Sequence, residues 1–192
     1  MKYITVSITQ KLLALNLITN SQLAVYNYGI EVLISSIINI FTILLCSLFF
    51  NTVWHGIIFL IVFVPLRTTL GGYHAKTRTK CFFISVLLYG AISSLQLVLN
   101  HFLHSFAIWL LLLLMTTTYI LLCKPIDNIH HPIKQSIKSK NKTRSIFLMT
   151  IDFIVCFIGI VTSPNSSLMQ FSILSILAFA LLHFISERRG LV

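Results

Sequence analysis

The sequence predicts an all-α polytopic membrane protein, with about six transmembrane helices behind an N-terminal amphipathic interfacial helix and both termini cytoplasmic. Three observations predict it. The 192 residues are 57% hydrophobic and only 9% charged, whereas a soluble domain carries about a quarter charged residues. Mean hydropathy is +0.93. The basic residues fall between apolar runs, on alternating sides of them. The length gives one integral membrane domain over residues 1–192. The N-terminus has no charged region followed by an apolar block and a small-residue cleavage site, so no signal peptide is expected.

The elements follow in order. Residues 1–27 form an N-terminal segment in which Ile4, Ile8, Leu12 and Leu15 recur at helical spacing. Lys2, Gln10, Lys11 and Asn16 then face water, as in an interfacial amphipathic helix. A frayed terminus is the alternative. Thr19, Asn20 and Ser21 supply N-cap residues for the next helix. Apolar runs then cover 28–50, 53–66, 81–99, 103–123, 145–162 and 168–186. The second is short for the ~20 residues of a spanning helix. None alternates as a strand does, and helices are the default spanning structure.

Orientation follows from charge. With the N-terminus inside and six crossings, the inside segments are 1–27, 67–80, 124–144 and 187–192. These hold all fourteen Lys and Arg residues, and the outside turns at 51–52, 100–102 and 163–167 hold none. Basic residues accumulate on the cytoplasmic side. The net charge of +10 is therefore spent on topology and on anionic lipid headgroups. The bilayer, not nucleic acid, is the expected partner.

Chemistry concentrates in "LGGYHAKTRTKC", Leu70 to Cys81. Cys81 opens the third apolar run, where the positive end of a helix dipole favours thiolate. Lys76, Arg78 and Lys80 add positive charge, and the thiolate is the nucleophile. His74 stands seven residues earlier, ~10.5 Å along a straight helix. That is too far for a general base, so the chain must fold back to bring the imidazole to the thiol. Gly71 and Gly72 permit such a turn. The bland reading is a solvated histidine and an incidental cysteine. Cys46, Cys123 and Cys156 lie in or at the ends of apolar runs, where cysteine acts as a small hydrophobe. No CxxC pair is present, so neither a zinc site nor a disulfide framework is expected.

Glu31 lies near the cytoplasmic end of the first run, and a carboxylate there is costly. It can orient His74, accept a hydrogen bond from substrate, or pair with Arg67 as a structural ion pair. Asp152 either pairs with a cation or lines a polar cavity. His130 and His131 are adjacent and lack the spacing of helical metal ligands, so no metal or cofactor is expected. His55, His101, His104 and His183 read as interfacial, and Trp54 as an interface anchor. Gly90, Ala91, Ser93, Ser94 and Gly159 are small enough for close helix approach.

These residues resemble the accessory gene regulator B (AgrB) family of Gram-positive quorum-sensing systems. The resemblance rests on "RTTLGGYHAKTRTKC", Arg67 to Cys81, and extends over the whole chain. It implies a membrane cysteine endopeptidase acting at the cytoplasmic face on an AgrD-like precursor peptide. The implied catalytic residues are His74 and Cys81, with Arg67, Gly72 and Glu31 in supporting positions. The segment "KPIDNIHHPIKQSIKSKNK", 124–142, is similar to the family's Pro- and Lys-rich loop. The resemblance also implies a homodimer and no cofactor. Ten Lys and Arg residues between 67 and 144 are expected to attract an acidic precursor tail, among them Lys76, Arg78, Lys80, Lys134, Lys138 and Lys140. Two readings compete: a small transporter using Glu31 and Asp152, and a non-catalytic scaffold recruiting acidic partners through 134–144.

Overall fold

The computed structural model describes residues 2–71, 78–102, 105–126, 135–163 and 166–188, with backbone only at 2, 78, 79, 101 and 102. Seven α-helices lie among the described residues, and no strand. They are α1 (Lys2–Ala14), α2 (Leu23–Phe49), α3 (Val53–Leu70), α4 (Arg78–Phe102), α5 (Phe106–Leu122), α6 (Gln135–Thr162) and α7 (Ser167–Arg188). All but α1 and α5 are long and apolar enough to cross a membrane. α5 is equally apolar but has 17 residues, about 25 Å of rise. The chain is a polytopic membrane protein.

Several boundaries differ from the sequence expectation. α2 begins at Leu23 rather than 28, after a 3-10 turn at Asn20–Gln22. Thr19 precedes that turn, and its N–H donates to Gln22 Oε1 at 3.2 Å. α3 does not stop at 66. It continues past Pro65 for a total of 18 residues and carries Arg67 on the helix. The Thr68 and Thr69 hydroxyls both donate to the Pro65 carbonyl at 2.9 Å. α4 begins at Arg78, so Cys81 sits in its first turn. α6 begins at Gln135, so the segment 124–144, expected as loop, is helical over its second half. Residues 135–144 contain no Gly or Pro and are rich in Lys and Arg, which favour helix.

The chain divides into two compact units, Met1–Ile43 and Leu44–Val192. In the first, the Thr9 hydroxyl lies 2.9 Å from the Thr5 carbonyl and 3.0 Å from Asn27 Oδ1, which joins α1 to α2. Thr5 and Thr9 are buried, while Ile4 is 56% and Leu15 68% exposed. The predicted apolar stripe therefore faces away from protein, as a helix seated in lipid requires.

The second unit is built around α7, which packs on α3, α4, α5 and α6. Of its most apolar stretch 61% is buried, against 22% for α4 and for α6, so α7 is the core and its neighbours face lipid. Phe59 and Phe63 stack with centroids 4.8 Å apart, and Phe179 meets Phe63 edge-on at 6.2 Å. Tyr89 joins them to Phe171. Trp109 is buried in this core, whereas Trp54 is exposed as an interface anchor would be. Gly159, expected to serve helix approach, packs within the chain: a Cβ there meets Met169 Cγ at 3.1 Å. A Cβ at Gly90 meets nothing within 4 Å.

Candidate functional site

The end of α3 and the start of α4 meet at one sulfur. Arg67 stands one turn before the end of α3, where a cation complements the dipole. Its Nη2 donates to Cys81 Sγ at 3.1 Å, and its Nη1 donates to Ser85 Oγ at 3.1 Å. The Ser85 hydroxyl in turn donates to the Cys81 carbonyl at 3.1 Å, one turn back along α4. The guanidinium also lies over the Phe63 ring, 5.9 Å from its centroid. Its two donor arms thus span a thiol and a hydroxyl that share one face of α4. Cys81 itself is half-exposed.

The other cysteines have different surroundings. Cys123 and Cys156 are buried, and Cys123 Sγ donates to the Ile120 carbonyl at 3.2 Å. Cys46 lies within α2, three residues from its end.

α3 ends at Gly71, whose N–H donates to the Arg67 carbonyl at 3.1 Å. Gly71 has φ +77, a region that L side chains rarely enter. A Cβ there meets the Ile126 carbonyl at 2.9 Å. The Ile126 N–H donates to the Leu70 carbonyl at 2.8 Å, so the chain leaving α5 is tied to the end of α3.

That chain is anchored further back. Lys142 Nζ, on α6, donates to the carbonyls of Ile120 and Cys123 at 2.8 and 2.5 Å. These are orphan acceptors at the C-terminus of α5, and an ammonium suits that negative end. His183, expected at the membrane interface, is instead fully buried in α7. Its Nε2 lies 3.1 Å from the Lys124 carbonyl and its Nδ1 3.0 Å from the Tyr119 hydroxyl. A carbonyl only accepts, so Nε2 carries the proton. In the neutral ring Nδ1 then accepts from Tyr119. The charged and polar residues near the basic segment are thus partly consumed in holding it.

The chain matches the family described as Accessory gene regulator B over residues 1–186. It belongs to that family. The AgrB match takes in all of α1 to α6 and nearly all of α7. Two curated relatives carry related names. AgrB-like protein 2 of Clostridium perfringens is 27% identical over 155 residues, covering 77% of this chain and 71% of its own. Protein FsrB of Enterococcus faecalis is 37% identical over 65 residues, covering 34% of this chain and 27% of its own. No solved structure matches. Membership carries a role in accessory gene regulation, the setting of quorum sensing.

Against the AgrB expectations, the structure brings Arg67 and Cys81 together and adds Ser85, which the sequence reading did not single out. The signal was present: Ser85 stands four residues after Cys81, on the same helix face. Lys80 lies in the first turn of α4 and is exposed; Lys138 and Lys140 lie in the first two turns of α6. Arg78 begins α4. Glu31 is half-buried in α2, within the first unit. Gly72, His74, Lys76 and Lys134 lie outside the described residues. Among the described residues no three His, Cys, Asp or Glu side chains cluster as metal ligands would.

Proposed function

We propose that this AgrB-family chain is a membrane cysteine endopeptidase, with Cys81 as nucleophile and His74 as general base. Its substrate is an AgrD-like precursor peptide lying at the inner leaflet. The observation that carries the reading is the Arg67 Nη2–Cys81 Sγ contact of 3.1 Å. A donor with full positive charge makes its strongest hydrogen bond to an anionic acceptor, and Cys81, unlike Cys123 and Cys156, is not buried.

The steps follow from these groups. His74 takes the Cys81 proton, and the thiolate attacks the carbonyl carbon before the precursor's C-terminal tail. The C–N bond breaks, and the departing amine takes the proton back from His74. The peptide is left as a thioester on Cys81. A cysteine or serine within the peptide then attacks that thioester, closing a thiolactone or lactone and restoring the Cys81 thiol. Helices that exclude water disfavour hydrolysis of the acyl-enzyme before closure. Lys76, Arg78, Lys80, Lys134, Lys138 and Lys140 attract the acidic tail, while Gly72 supports the placement of His74. The active site faces the cytoplasm, and two copies of the chain form the working unit.

The test is co-expression with an AgrD-like precursor peptide. Wild-type protein should yield shortened peptide and a Cys81-linked adduct by mass spectrometry. Cys81→Ala should insert in the membrane and yield neither. Tail removal by Cys81→Ala at the wild-type rate would sink the assignment.

A further inference from the structure

We infer that Ser85 is a positioning residue for the Cys81 thiol, acting through the Arg67 guanidinium. The inference deepens the endopeptidase reading above and rests on it.

Serine hydroxyls on spanning helices commonly bond back to the carbonyl four residues earlier. Ser36, Ser93 and Ser94 all do so here, at 2.9, 2.9 and 3.0 Å. The Ser85–Cys81 carbonyl bond at 3.1 Å is by itself the same unremarked habit. What sets Ser85 apart is its second contact, the acceptance of Arg67 Nη1 at 3.1 Å. The two contacts are linked. A hydroxyl has one proton and two lone pairs. Committing the proton to the Cys81 carbonyl fixes where the lone pairs point, and one of them meets the guanidinium.

The guanidinium is planar and rigid. Anchoring Nη1 on Ser85 therefore fixes the direction of Nη2, which is the arm on Cys81 Sγ. A long, flexible side chain is held at two points one helical turn apart. Ser85 is 1% exposed, so its hydroxyl is committed to protein partners rather than to bulk water. Without it, Arg67 keeps its charge and its place over Phe63 but loses an anchor that aims Nη2 at the sulfur. Cys81 and Ser85 lie on one face of α4, and Arg67 reaches them from α3, so the device also locks α3 to α4 at the site.

The experiment uses full-length protein in which Cys46, Cys123 and Cys156 are Ala, leaving one thiol. The readout is the second-order rate of Cys81 alkylation by iodoacetamide at neutral pH. Ser85→Ala should slow it about tenfold or more, the scale of a lost hydrogen bond to a charged group. Ser85→Thr, which keeps the hydroxyl, should stay within about twofold of the parent. In an Arg67→Met background, Ser85→Ala should have no further effect, because a residue acting through another has nothing left to act on. Equal slowing by Ser85→Ala with and without Arg67 overturns the inference, as does an unchanged rate in Ser85→Ala. Equal loss in Ala and Thr variants also overturns it, since packing rather than the hydroxyl is then at work. Alkylation does not require precursor. Failure of the nucleophile assignment appears instead as peptide cleavage by Cys81→Ala, and the two failures are separable.

Discussion

The Ile126 N–H donates to the Leu70 carbonyl at 2.8 Å, which ties the chain beyond α5 to the last residue of α3. Arg67 is one turn away on the same helix. The contact sits beside Gly71, whose φ of +77 lets the chain leave α3 while passing close to Ile126. Two segments 55 positions apart in numbering, 71 and 126, share one backbone junction within a turn of Arg67.

Gly71→Ala tests that junction. The new Cβ meets the Ile126 carbonyl at 2.9 Å in a backbone region hostile to L side chains. Strain of this kind costs about 1–3 kcal/mol. The expected outcome is a lower melting temperature in detergent together with reduced precursor cleavage. Wild-type values for both would mean that the junction relaxes without consequence.

Arg67→Lys should lower the precursor cleavage rate by about ten- to a hundredfold, the range for a lost hydrogen bond to a charged group. Charge is kept in this variant, but a point-like ammonium cannot hold Ser85 and Cys81 with two fixed arms. Initial rates at saturating precursor are the measurement. If Arg67→Lys retains the full rate, charge alone suffices and the geometry is irrelevant.

Lys142→Met removes a donor of similar length from the C-terminal carbonyls of α5. The Ile120 carbonyl keeps the Cys123 thiol as a donor, but leaving the Cys123 carbonyl unsatisfied costs about 1–3 kcal/mol. Thermal unfolding should therefore begin earlier, and backbone exchange at 120–124 should rise. An unaltered exchange pattern would show that the Ile120 and Cys123 carbonyls find other partners.

Membrane sidedness is expected from the one-sided distribution of all fourteen basic residues. In intact cells an impermeant thiol reagent should label Ser166→Cys and leave Thr77→Cys and Ser139→Cys unlabelled. External labelling at Thr77→Cys would overturn both the orientation and the cytoplasmic site.

Mixing protomers addresses assembly. His74 and Cys81 lie on the single connection between α3 and α4 and its first helical turn, so each copy should carry its own pair. Co-expressing Cys81→Ala with His74→Ala should leave cleavage near background. Recovery of full activity would mean that the pair forms between chains.

Composition and periodicity determined the class of this protein and the location of its chemistry. An apolar content of 57% with 9% charge leaves no polar surface for a soluble fold, and runs bounded by basic residues mark the helices whatever their packing. The spacing from Arg67 to Cys81 marked the stretch that carries reactive side chains. Element ends were less legible. α3 continues past Pro65 and ends where Gly71 turns, whereas Pro65 by itself argues for a stop. Partnerships were not legible at all. Helical periodicity shows that Cys81 and Ser85 share a face, but not that Arg67 reaches both from another helix. Nor does it show that His183 leaves the interface to hold the Lys124 carbonyl beside Tyr119. Such contacts join residues 14 to 64 positions apart, and local pattern carries no information about which helices lie side by side. The packing of α7 against its four neighbours decides that, because it fixes which ends meet.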